Sequence, residues 1–165
     1  MELAKKAGEL LKKQKLTIAA AESCTGGLFT SLLTDIAGSS SYVKGSVVCY
    51  TNAVKMSLCG VAKETIAKFT EVSRQAALEL ADGIKNNLHS DIGIGITGVA
   101  GPGKDYNGHA EGLVYIAINS PLGARCEKLN FTGSRREIKR KSADFALMML
   151  IKDLEIIIER TKIIR

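Results

Sequence analysis

Asp91–Lys104 reads DIGIGITGVAGPGK, and its two halves obey different physical rules. Ile92, Ile94 and Ile96, separated by small residues, form the short apolar run of a buried strand. Thr97-Gly98-Val99-Ala100-Gly101-Pro102-Gly103 then supports neither a helix nor a ladder. Its glycines open positive φ and let backbone amides approach a ligand closely, while Pro102 fixes one φ. In an open α/β sheet, ligands bind in the crevice beyond the carboxyl ends of the strands. Three other stretches end in the same way, so the sequence predicts one site built from several strand ends.

The 165 residues suit a single domain, residues 1–165, with a sizeable core. A hydrophobic share of 45% and a mean hydropathy of +0.07 exclude a disordered chain. Cys24, Cys49, Cys59 and Cys126 show no CxxC and no metal-like spacing. They read as reduced, mostly buried thiols of a cytoplasmic protein. The opening MELAKKAGELLKK is amphipathic and has no apolar leader. Ile156-Ile157-Ile158 is too short to span a membrane. His89 and His109 have no carboxylate or Cys at ligand spacing, so no metal and no cofactor is expected. The net charge of +6 permits an anionic partner. Aromatics make up only 5%, with no basic–aromatic platform, so nucleic acid is not the favoured partner.

Taken in order, Leu3, Ala7, Leu10 and Leu11 fall at helical spacing and predict a helix over 2–14. LTIAAA (16–21) is a short buried strand that runs into Glu22-Ser23-Cys24-Thr25-Gly26-Gly27, followed by Leu28, Leu32, Leu33 and Ile36 at helical spacing. A strand, a small polar turn and a helix can offer free amides and a positive helix end to an anion. An ordinary tight turn would read the same, and neither a P-loop nor GxGxxG is present. Ser39-Ser40-Ser41 after Gly38 reads as a solvated turn. Residues 45–50 form a strand ending in Tyr50, and Thr51-Asn52 caps a helix carrying Lys55. Read alone, these last two are a half-exposed Tyr and a solvated Lys.

Lys63 to Phe69 is a short helix, and Ser73 opens a longer one to Leu88 that delivers the central strand. DYNGHAE (105–111) is polar and turn-rich, the composition of a mobile rim. LVYIAIN (113–119) and ARCEKLNF (124–131), joined through Pro121-Leu122-Gly123, form an antiparallel edge hairpin. Gly133-Ser134 caps a last helix running to about residue 160. Arg135, Arg136, Lys139, Arg140 and Lys141 crowd its start, where the macrodipole is already positive. Each such charge costs roughly 0.3–1 kcal/mol. A bound anion would remove the conflict, and Arg at a helix start is a good phosphate clamp. The expected architecture is a single three-layer α/β domain: a mixed, mostly parallel sheet with helices on both faces.

AESCTGG (21–27), GSSSYVKGSVVCYTNAVK (38–55), EVSRQAA (71–77), ITGVAGP (96–102) and FTGSRREIK (131–139) resemble, in order and spacing, the C-terminal domain of the CinA family. That domain also occurs alone as a nicotinamide mononucleotide deamidase, and the length here is similar to the stand-alone form. The resemblance implies hydrolysis of the carboxamide of nicotinamide mononucleotide to nicotinic acid mononucleotide and ammonia, in pyridine nucleotide recycling, without metal or cofactor. It implies Ser40 as nucleophile, with Tyr50, Lys55 and Arg135 as the other catalytic groups, either Lys55 or Tyr50 serving as base. Ser23, Thr25, Gly26, Gly27, Thr97, Gly98 and Gly101 would line the same substrate pocket and hold the phosphate or the developing oxyanion. By fold-level analogy a homo-oligomer is expected.

Two departures from the family pattern stand out. Ser134 occupies the position of an Asp and Lys139 that of an Arg, and KDYNGHAEG (104–112) replaces a glycine-rich run ending in Lys-Pro-Val-Gly. The altered loop makes a second reading necessary, a non-catalytic nucleotide- or phosphate-binding module linked to competence or DNA damage.

Overall fold

The computed structural model describes residues 2–163. Five strands form one sheet in the order β2-β1-β3-β4-β5. These are β1 (Ile18–Glu22), β2 (Val43–Val48), β3 (Ile92–Gly98), β4 (Leu113–Ser120) and β5 (Gly123–Asn130). β1 lies between β2 and β3 and pairs parallel with both. β4 and β5 continue the sheet antiparallel beyond β3. The helices are α1 (Glu2–Gln14), α2 (Leu28–Thr34), α3 (Asn52–Cys59), α4 (Lys63–Phe69), α5 (Arg74–Asn87) and α6 (Arg135–Ile163).

The alternation in β3 decides how the layers stack. Ile92, Ile94 and Ile96 are fully buried on the face covered by α1, α2 and α6. Each such burial contributes about 1.5–3 kcal/mol. Gly93 and Gly95 face the other way, beneath α5, whose backbone lies almost on the strand. A Cβ added at Gly95 would stand 2.3 Å from the carbonyl oxygen of Ala77, and one at Gly93 would stand 2.0 Å from that of Ala81. Glycine is therefore what lets α5 sit so low across the sheet. Ala19, Ala21, Cys49, Cys59, Ala76, Leu80 and Ile84 fill the rest of that second layer. All four cysteines are buried thiols.

The predicted elements form, with shifted ends. β1 starts at Ile18 rather than Leu16, because the Thr17 amide and hydroxyl both donate to the Asp91 carboxylate at 2.7 Å, tying the starts of β1 and β3 together. β2 ends at Val48, which leaves Tyr50 beyond the strand. The predicted caps hold: Thr51 accepts from the Val54 amide and Ser73 from the Ala76 amide. Ser134 and Glu137 form a reciprocal capping box at the start of α6. No helix among the described residues is long and apolar enough to cross a membrane.

Candidate active site

The carboxyl ends of the three parallel strands open into a cleft of about 530 Å³. β1 delivers Ser23 and Cys24, β2 delivers Tyr50, and β3 delivers Thr97 to Lys104; α3 brings Lys55, and the start of α6 brings Arg135. This is the predicted convergence of strand ends, and it includes Thr97, Gly98 and Gly101.

Lys55 sits at the bottom, 1% exposed. Its Nζ donates to Ser23 Oγ at 3.1 Å and to the Cys49 carbonyl at 2.8 Å. The reading of Lys55 as a solvated side chain is therefore wrong, because α3 turns this position inward over the ends of β1 and β2. Burial lowers its pKa from the ordinary lysine value, against the pull of nearby groups that include Glu71 and the cysteines. A lysine held this way can serve as a base. Cys24, next to Ser23, takes the opposite shift: burial pushes its thiol up to about 12, so it is protonated near neutrality and is a poor nucleophile.

Tyr50 and Arg135 meet above this pair. Arg135 Nη2 donates to the Tyr50 hydroxyl at 2.7 Å, and Nη1 donates to the Gly101 carbonyl, so one guanidinium joins the β2 end to the glycine loop. The buried amides of Ala100 and Gly101 donate to no other group among the described residues. Both residues line the cleft.

Four expected members lie elsewhere. Ser40 is exposed on a short turn, residues 39–41, before the start of β2. The six residues of β2 separate that end from the cleft by roughly 20 Å, so within one chain Ser40 does not join Tyr50, Lys55 and Arg135. Thr25, Gly26 and Gly27 line a separate, basic pocket of about 560 Å³ beside Arg136 and Lys139, and Arg135 borders both cavities. The idea of free amides at the start of α2 also fails. The buried Glu22 carboxylate accepts from the amides of Phe29 and Thr30 at 3.0 and 2.9 Å and fills that anion position itself.

Sequence reasoning missed Glu71. The residue is 8% exposed and borders the cleft, and its carboxylate accepts from Asn107 Nδ2 at 3.2 Å. It lies two residues before the cap of α5 and opens the EVSRQAA segment, but nothing in that segment marked its carboxylate as facing the cleft. The segment 105–111, expected as a mobile rim, is fastened on several sides. Besides the Asn107 bond, Asn52 donates to the Tyr106 hydroxyl at 3.3 Å, and the Gly103 amide donates to Glu111. His109 Nδ1 lies 2.8 Å from Asp105 Oδ2. Burial alone would raise the Asp105 carboxyl, but the bonds from His109 outweigh it and hold it below its ordinary value. Among the described residues, no group of three His, Cys, Asp or Glu side chains could hold a metal ion.

Comparison with known proteins shows relatives in both sequence and fold. A protein of Desulforamulus reducens that carries the name competence-damage inducible protein is 46% identical over 142 residues, covering 86% of this chain and 34% of its own length. The chain thus spans about a third of the curated relatives it matches. Among solved structures, the competence/damage inducible protein CihA from Agrobacterium tumefaciens superposes with a TM-score of 0.88 at 37% identity, covering 93% of this chain and 94% of that one. A competence or damage-inducible protein from Enterobacter asburiae does so with a TM-score of 0.90 at 33% identity, covering 93% and 96%. The CinA C-terminal domain pattern matches residues 1–154, and the chain belongs to that family.

Proposed function

We propose that this protein is an amidohydrolase acting on the carboxamide of a nicotinamide nucleotide, with nicotinamide mononucleotide as its substrate and a cytoplasmic role in pyridine nucleotide recycling. The observation that carries this reading is the buried contact between Lys55 Nζ and Ser23 Oγ, 3.1 Å apart on the cleft floor. In this reading Ser23, in place of Ser40, is the nucleophile. Neutral Lys55 takes the Ser23 proton as Oγ attacks the amide carbon. The lowered lysine pKa supports this by raising the neutral fraction near physiological pH. Lys55 then passes the proton to the amide nitrogen, the C–N bond breaks and ammonia leaves. Water, deprotonated by Lys55, hydrolyses the resulting ester and releases the acid. The amides of Ala100 and Gly101 suit the developing oxyanion, and Tyr50, oriented by Arg135, suits a hydrogen bond to the reacting amide.

The alternative, a phosphate-binding module without turnover, draws support from the second, basic pocket. One experiment separates the two: ammonia release from nicotinamide mononucleotide by wild type, Ser23→Ala and Ser40→Ala. The expected result is turnover by wild type and Ser40→Ala, with Ser23→Ala reduced at least about a hundredfold. Absence of ammonia from folded wild type would leave the binding module. Loss in Ser40→Ala alone would return the nucleophile to Ser40.

A further inference from the structure

Glu71 carries a charge that the fold does not pair. It stands between α4 and α5, and its carbonyl accepts from Thr97 Oγ1 at 2.7 Å, which pins it to the end of β3. The residue is buried and borders the cleft. Both carboxylate oxygens accept from one amide nitrogen, Asn107 Nδ2, at 3.2 Å each. Among the described residues, no Lys, Arg or His nitrogen lies within 4.0 Å of them. Asp105, the other carboxylate bordering the cleft, has His109 at 2.8 Å. A buried carboxylate is costly unless a cation accompanies it, and an amide donor completes hydrogen bonding without neutralising charge. The charge also reaches the cleft floor: burial lowers the Lys55 pKa, and Glu71 is among the groups pulling the other way.

We propose that Glu71 determines specificity for a cationic ring: its carboxylate lies against the pyridinium of the bound nicotinamide nucleotide and selects it over an uncharged dihydropyridine. The ring nitrogen of such a nucleotide is quaternary, so its positive charge is permanent, spread over the ring and without a proton to donate. A carboxylate whose hydrogen bonding is already met by Asn107 suits this partner, which needs charge rather than a lone pair. Tyr106 borders the cleft beside Glu71, its hydroxyl pushed up from its ordinary value by burial and by that carboxylate. A tyrosine ring attracts the same kind of cation. A positive ring in the cleft also opposes a proton on Lys55, since a like charge nearby disfavours the charged form. Seating the substrate and freeing the base then act in one direction. Selection of a cationic ring by Glu71 stands on the cleft alone; its part in deamidation rests on the amidohydrolase reading above.

The test uses the full chain and two probes that share ribose and phosphate: 3-acetylpyridine mononucleotide, whose ring is cationic, and its reduced dihydro form, whose ring is neutral. Neither contains an amide C–N bond, so binding is read without turnover. Calorimetry on wild type should show the cationic probe bound about tenfold tighter than the neutral one. Glu71→Gln keeps an oxygen for Asn107 and removes the charge. It should weaken the cationic probe about tenfold and leave the neutral probe unchanged. Asn107→Ala removes the contact and keeps the charge, so its preference for the cationic probe should persist, which separates charge from anchoring of the 105–111 segment. Wild type that binds neither probe, or both alike, would overturn the proposal. So would a Glu71→Gln variant that keeps the preference, or one that weakens both probes equally, which would point to the shared ribose. Loss of the preference in Asn107→Ala would overturn it as well. Ammonia release from nicotinamide mononucleotide is measured alongside: its absence from folded wild type would sink the amidase reading, while the two probes still decide the role of Glu71.

Discussion

Replacing Lys55 with Met tests the chemistry at its narrowest point. Methionine preserves much of the stem and removes the charge. The structure sets two opposing costs. The Cys49 carbonyl and the Ser23 hydroxyl lose their shared donor, and an unsatisfied buried acceptor costs about 1–3 kcal/mol. Against this, the ammonium is itself disfavoured by burial, as its lowered pKa reports, and deleting it recovers that penalty. The two partly cancel, so the variant should stay folded with a net change below about 3 kcal/mol, read at about 2–4 °C of thermal midpoint per kcal/mol. Turnover should fall much further, by about a hundredfold to ten-thousandfold for loss of a general base.

The pH dependence has a definite sign. The folded pKa of Lys55 lies below 10.5, so at pH below that folded value the protein bears the full cost of the buried charge. As pH rises from the folded value to 10.5, the unfolded chain holds more protons than the folded one, and stability rises. In parallel, kcat/KM for ammonia release should climb through an ionisation below 10.5. Measuring release from nicotinamide mononucleotide with a coupled ammonia assay, alongside thermal midpoints, checks both. A Lys55→Met variant with wild-type kcat, or one whose residual activity keeps the same rising limb, would refute the assignment of Lys55 as base.

Two further outcomes probe the scaffold. Gly95→Ala should lower the thermal midpoint by overpacking, at about 1–3 kcal/mol, because the new Cβ meets α5 backbone at 2.3 and 2.7 Å; an unchanged midpoint would mean that α5 is not held against β3. Glu22→Ala should cost at least about 3 kcal/mol, since the Phe29 and Thr30 amides and the Thr30 hydroxyl lose one shared acceptor, and calorimetric unfolding would show it.

The sequence alone determined the alternation of strands and helices, because periodicity and capping are local properties. IGIGI announces a strand, and Thr51, Ser73 and Ser134 announce helix starts by chemistry confined to three or four residues. It also singled out the glycine loop at 97–103 and the cationic start of α6, both of which line cavities in the structure, since both signals are written in consecutive residues. Only the tertiary structure decided which of those signals share a cavity. Lys55 is buried because α3 folds over the ends of β1 and β2, which its own sequence, NAVKMSLC, does not reveal. Glu22 takes the start of α2 for itself, and Ser23 and Thr25, two residues apart, reach different pockets. Ser40 falls at the far end of β2 from Tyr50, although only ten positions separate them. For Ser40 and Tyr50 the physical reason is that a strand moves its two ends about 3.3 Å apart per residue; for the others it is the packing of helices over the strand ends, so nearness in a motif is not nearness in space.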